Sequence, residues 1–174
     1  MLSIDTSSYT RRWATHAEVQ DYDPENRDDE TRDEDKQVGD LAELAFAELL
    51  STYGVKHKWD GKDKKYDPYD FLIYSESEEE WLTVDVKCRK KWLGYTDLIV
   101  QCGKHGNHSA DINIRAMMVE NGRRVKFAGY ATAEETLAAQ RFWGANGEDS
   151  KQIKRIVYEN QLHEIDEIFP EFQP

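Results

Sequence analysis

Tyr69-Asp70-Phe71-Leu72-Ile73-Tyr74, a polar Ser75–Glu80 segment, and Trp81-Leu82-Thr83-Val84-Asp85-Val86-Lys87 together decide how this chain folds. Both flanks have the aromatic and β-branched composition of strands, and the Ser-Glu segment between them predicts a turn. Side chains along a strand alternate between its faces. Leu82, Val84 and Val86 therefore share one face, and Thr83, Asp85 and Lys87 share the other. A carboxylate and an ammonium are held side by side on one strand, with Asp70 at the start of its neighbour. Two carboxylates and a lysine converging on a sheet edge are a donor set for a hard divalent cation and an attacking water.

Working outward, the stretch before this hairpin turns helical from Lys36 to Leu50. Val38, Leu41, Ala42, Ala45 and Leu49 recur at helical spacing as one apolar stripe. Glu43 lies at the rim of that stripe, one turn from Gly39 and one turn from Ala47, and a helix packed beside the hairpin aims it at Asp70 and Asp85. Gly54 is the expected helix stop. Residues 55–68 read as a short strand and a polar loop.

After the hairpin, Thr96–Cys102 reads as a strand and Gly103–Ser109 as a loop. Asp111–Met118 and Val125–Tyr130 read as strands joined by an Asn121-Gly122 turn. Thr132 with Glu135 matches a capping box and opens a helix expected to run through Trp143. A short strand at Ile153–Tyr158 and a short helix at Asn160–Ile168 complete the order. The sum is an α/β layer with a central mixed sheet flanked by helices.

At 174 residues the chain is expected to form one domain, with residues 1–35 as an acidic flexible arm and 36–170 as the folded part. No apolar run reaches the ~20 residues of a membrane helix, and the N-terminus lacks an apolar signal segment. The expectation is a chain in the cytoplasm with no membrane partner. Cys88 and Cys102 are then reduced thiols rather than a disulfide framework.

The net charge of −12 speaks against a nucleic-acid partner only until it is mapped. Residues 21–35 carry −7 and residues 158–174 carry −5, so the remainder of the chain is neutral. Within it, Lys87, Arg89, Lys90 and Lys91 are the densest basic cluster, directly after the carboxylate strand, and local field governs phosphate binding.

Taken together, Glu43 on a helix, Asp70 opening a strand and Asp85-Val86-Lys87 on the next strand resemble the PD-(D/E)XK nuclease superfamily over residues 36–130. The resemblance implies a restriction-endonuclease-like core and a deoxyribonuclease. Asp70 and Asp85 would bind Mg²⁺ or Mn²⁺ with the backbone carbonyl of Val86, and Glu43 would assist. Lys87 would orient the water and offset phosphate charge. Arg89, Lys90, Lys91 and Gln101 would contact DNA, and a homodimer is compatible with the family. The end of the chain, from Phe127-Ala128-Gly129-Tyr130 onward, is similar to small virus-encoded members, which would place the protein in a host cytoplasm. Tyr69 stands where the motif has its proline, and Pro68 is one residue early. Asp67 is the weaker candidate for the role of Asp70, since only Asp70 abuts the apolar strand.

Rival sites are less specific. Cys102, His105, His108 and Asp111 are zinc-type ligands, but their spacing matches no finger. Cys88 falls on the apolar face, where a thiol is inert packing. Trp92 and Tyr95 beside the basic cluster suit base stacking or the edge of a core. A binding factor that keeps the nuclease fold without cutting is the alternative function.

Overall fold

The computed structural model describes residues 2–5, 29–59, 69–90, 97–119, 123–142 and 153–168, with only the backbone given for 29–36 and 89–90. Its elements are β1 (Leu2–Asp5), α1 (Asp29–Thr52), β2 (His57–Trp59), β3 (Phe71–Ser75), β4 (Glu80–Lys90), β5 (Leu98–Gln101), β6 (Ile112–Val119), β7 (Arg124–Thr132), α2 (Ala133–Ala138), β8 (Gln140–Phe142) and β9 (Lys154–Val157). Two 3-10 turns, Glu159–Gln161 and Ile165–Ile168, follow. No described helix is long and apolar enough to cross a membrane.

The protein is mixed α/β. Six strands form one sheet in the order β1-β7-β6-β4-β3-β2, and three more form a second in the order β5-β9-β8. In the larger sheet only β4 and β6 run parallel. β6 is buried along its whole length, which explains its near-continuous apolar sequence.

α1 covers one face. Its buried residues Ala42, Ala45, Phe46, Leu49 and Leu50 meet Phe71, Ile73, Val84, Val86, Ile112, Ile114 and Phe127. Phe46 stands edge-on to Phe71 at 5.2 Å and tilted against Phe127 at 5.6 Å. Gly54, with φ 69°, ends the helix in the left-handed conformation that glycine adopts without a steric penalty. The opposite face of β7 meets the second sheet, through Ala131 packed with Leu98, Val100, Cys102 and Val157.

One bulge lets β7 serve both layers. Arg115 pairs with Gly129 and Ala116 with Phe127, so Ala128 is an extra residue. Phe127 therefore faces α1, while Ala131, four residues on, faces the second sheet.

Several elements differ from the sequence reading. The helix begins at Asp29 rather than Lys36, so the end of the acidic run is helical. Leu2–Asp5, which fall in the segment expected to be a flexible arm, pair with β7 as an edge strand. The helix expected from Thr132 to Trp143 stops after Ala138, because Ala139 is extended and Gln140–Phe142 pairs with β9. The capping box itself forms, with Thr132 and Glu135 satisfying each other's backbone N–H groups. The helix expected at Asn160–Ile168 is two 3-10 turns separated by His163, which bridges Tyr130. The Asn121-Gly122 turn lies outside the described residues.

That bridge requires glycine at 129. A β-carbon there would lie 2.5 Å from the His163 carbonyl oxygen and 2.9 Å from Leu162 Cβ. Gly129→Ala is expected to destabilise the fold by about 1–3 kcal/mol through overpacking, read as a shift in the chemical-denaturation midpoint with an unchanged slope.

Candidate active site

The hairpin register creates the site. β3 begins at Phe71, opposite Val84, whereas β4 runs on to Lys90. From Asp85 onward β4 keeps β6 on one side, with Asp85 paired to Asn113 and Lys87 to Arg115. Among the described residues, its other edge, facing away from β6, has no strand partner beyond Val84. Asp70 closes that edge. Its backbone N–H donates to the Val84 carbonyl at 2.8 Å, and its Oδ2 accepts from the Val86 N–H at 2.7 Å. The side chain thus takes over the ladder bond that another residue of β3 would have made.

Lys87 donates to Asp85 Oδ1 at 2.6 Å, the two being neighbours on one face of β4. Asp85 is the buried member, its side chain 9% exposed against 40% for Lys87. From α1, Glu43 accepts a hydrogen bond from Trp59 Nε1 at 3.3 Å. Trp59 is itself stacked on Phe71 at 5.8 Å, which ties Glu43 to the start of β3. One helical turn before Glu43, a β-carbon on Gly39 would meet open space.

Electrostatics show that these four groups share one neighbourhood. Burial pushes Glu43 up to about 7, with the charges of Asp40 and Asp85 adding and the Trp59 hydrogen bond and Lys87 opposing. Burial likewise holds Asp70 well above the usual carboxylate range, helped by the charges of Glu43 and Asp85. For Lys87, desolvation favours the neutral amine, but Asp85, Asp70 and Glu43 outweigh it and the pKa rises. Several carboxyls face one ammonium, so they cannot all ionise without leaving negative charge unbalanced, and Glu43 and Asp70 hold their protons to higher pH.

The structure brings Glu43, Asp70, Asp85 and Lys87 within electrostatic reach of one another. Among the described residues, no three His, Cys, Asp or Glu side chains are gathered as a metal-holding group. Val86 contributes its N–H to Asp70; Arg89 and Lys90 continue β4; Gln101 is exposed at the end of β5, in the second sheet. Lys91, Asp67, Trp92 and Tyr95 lie outside the described residues. No family model matches the chain, and no curated protein matches its sequence.

Two of the four zinc-type residues are engaged otherwise. Asp111 Oδ2 accepts from both the backbone N–H and the hydroxyl of Thr83, at 2.8 and 2.7 Å. Cys102 is buried, and desolvation raises its pKa despite the opposing charge of Arg155.

Four further residues belong to the setting. Asp40 sits three residues before Glu43, a helical spacing that the sequence displays. Arg115, only 1% exposed, donates to the backbone carbonyls of Lys87 and Ala116. Asn113 is buried beside Asp85 in register and donates to Ser109 and Thr136. A cation and an amide inside the apolar run Ile112–Val119 were the available signal. Trp59 had none.

Because Glu43 is raised from 4.5 to about 7, the folded chain keeps a proton that the unfolded chain releases. Stability should be greatest below pH 4.5 as far as this group is concerned, and decline as pH rises toward 7. Glu43→Gln keeps an acceptor for Trp59 and removes the charge. It is expected to flatten that decline and stabilise the protein by on the order of 1 kcal/mol or more above neutrality, measured by urea unfolding across pH.

Proposed function

We propose that the chain is a metal-dependent nuclease of the PD-(D/E)XK type, built on a restriction-endonuclease-like core and hydrolysing phosphodiester bonds in DNA. The observation that carries this reading is the convergence of Glu43, Asp70, Asp85 and Lys87 at the open edge of β4.

The residues fit Mg²⁺ or Mn²⁺ in kind. Hard divalent cations take carboxylate and carbonyl oxygens, and mutually repelling buried carboxyls are relieved by a 2+ charge. Asp70 and Asp85, with Glu43 and the Val86 carbonyl, would hold the ion. When bound, it supplies a Lewis acid for phosphate oxygen and lowers the pKa of a water. Lys87 stays charged, since its pKa is raised, and offers an ammonium against charge developing on phosphate. Asp85 holds that ammonium in place. Trp59 steadies Glu43, and Arg115 grips the backbone under Lys87. Arg89, Lys90, Lys91 and Gln101 are the nucleic-acid contacts of this reading.

Wild-type protein incubated with plasmid, linear and branched DNA is expected to cut only with Mg²⁺ or Mn²⁺. Asp85→Ala should abolish cutting, and Lys87→Ala should lower kcat by on the order of 10²–10³ with metal uptake retained. Absence of cleavage by the wild type on every substrate, or cleavage that survives Asp85→Ala, refutes the reading. The hydrogen bonds already made by Asp70 and Asp85 favour one rival, a binding protein of the same fold that does not cut. Calorimetry separates the two: the nuclease takes up Mg²⁺ or Mn²⁺ through its carboxylates, and the rival does not.

A further inference from the structure

The face of β4 that carries Asp85 and Lys87 carries something else at its other end. Trp81 and Thr83 share that face by strand alternation, since Val84 and Val86 pack against α1. Tyr74 pairs with Trp81 across the hairpin, and their rings stand edge-to-face at 5.4 Å. On β2, Lys58 pairs with Leu72, whose side chain points the same way as Tyr74. The backbone carbonyl of Lys56 accepts from the Tyr74 N–H at 2.9 Å. Both ammonium groups lie over the rings: Lys56 Nζ is 4.5 Å from Tyr74 and 5.4 Å from Trp81, and Lys58 Nζ is 4.2 Å from Trp81.

We propose that Lys56, Lys58, Tyr74 and Trp81 form a stacking ledge for a single-stranded nucleic-acid segment leading to the carboxylate edge. The ledge lies four residues from Asp85, about 13 Å along β4. Its charge is opposite to that of the chain as a whole, which is −12. Bases have a π face and phosphates a negative charge, and this corner offers a partner for each. A base settling on Trp81 replaces an ammonium over the ring, and the released lysine meets the adjoining phosphate. Duplex DNA hides its base faces and cannot use the rings this way.

Neighbouring acids define the path. Glu78, Glu79 and Glu80 at the hairpin end bound the ledge on one side. Asp111, fastened to Thr83, sits toward β6, so the phosphates follow the β2 side where both lysines lie. This inference rests on the nuclease reading for its direction toward Asp85, but binding at the ledge requires no metal.

The test measures fluorescence anisotropy of a labelled oligothymidylate with the full chain, in EDTA, so that binding is scored apart from cutting. Wild-type protein should bind the single strand more tightly than a duplex of equal length. Trp81→Ala should weaken single-strand binding roughly ten- to a hundred-fold, and Trp81→Phe should restore much of the loss. Lys58→Ala, which keeps both rings, should reduce the salt slope by about 0.7. Equal binding by wild type and Trp81→Ala, duplex binding as tight as single-strand binding, or equal competition by polyglutamate each overturns the ledge. Single-strand binding lost in Trp81→Ala supports the ledge even where no cutting is found, and metal-dependent cutting with none of these binding effects overturns it while sparing the nuclease reading.

Discussion

The hydrogen bond from the Val86 N–H to Asp70 Oδ2 does two jobs that are usually separate. It satisfies a backbone donor on a strand whose partner has ended, as buried or half-buried amides require. It also fixes a carboxylate at the point where the chain turns into β3. Had β3 begun two residues earlier, a backbone carbonyl would have served Val86, and Asp70 would have been one more alternating side chain. The gap in pairing, rather than any single residue, positions the acidic group.

That arrangement is costly to keep. Glu43 and Asp70 sit in surroundings that resist their ionisation, and Lys87 could offset only one of the charges that full ionisation would create. Most buried acids in proteins are paired one to one, because an uncompensated charge in low dielectric is expensive. A crowd of carboxyls around one amine departs from that rule, and such departures concentrate where proteins do chemistry.

The hairpin and the acidic group were legible because both rest on short-range regularities. Alternation over residues 81–87 set the faces of β4, and the helical stripe over 38–49 set which side of α1 is buried. What escaped was long-range. Leu2–Asp5 is a four-residue edge strand whose existence depends on β7, more than a hundred residues away in sequence. The early stop of α2 depends on β9 recruiting Gln140–Phe142 into a second sheet. A strand was expected over Thr96–Cys102 and one forms at Leu98–Gln101, yet nothing local reveals that its partner is β9 and not β4. Trp59 was invisible as a support for Glu43 because a tryptophan in a short strand carries no mark of what its indole nitrogen will reach.

The two sheets are interleaved along the chain. β5 lies in sequence between two neighbouring strands of the larger sheet, yet among the described residues it pairs with β9, Leu98 opposite Val157, and the other edge of β9 takes β8, which precedes it in the chain. Closing that pairing fixes a long loop for the reward of four residue pairs, so contact order is high and loop-closure entropy opposes it. The hairpin of β3 and β4 closes over a handful of residues. On this ground the second sheet is expected to close after the hairpin. Loss of that sheet alone would uncover Leu98, Val100 and Cys102, whereas the hairpin and its acidic edge make their contacts in the larger sheet and with α1.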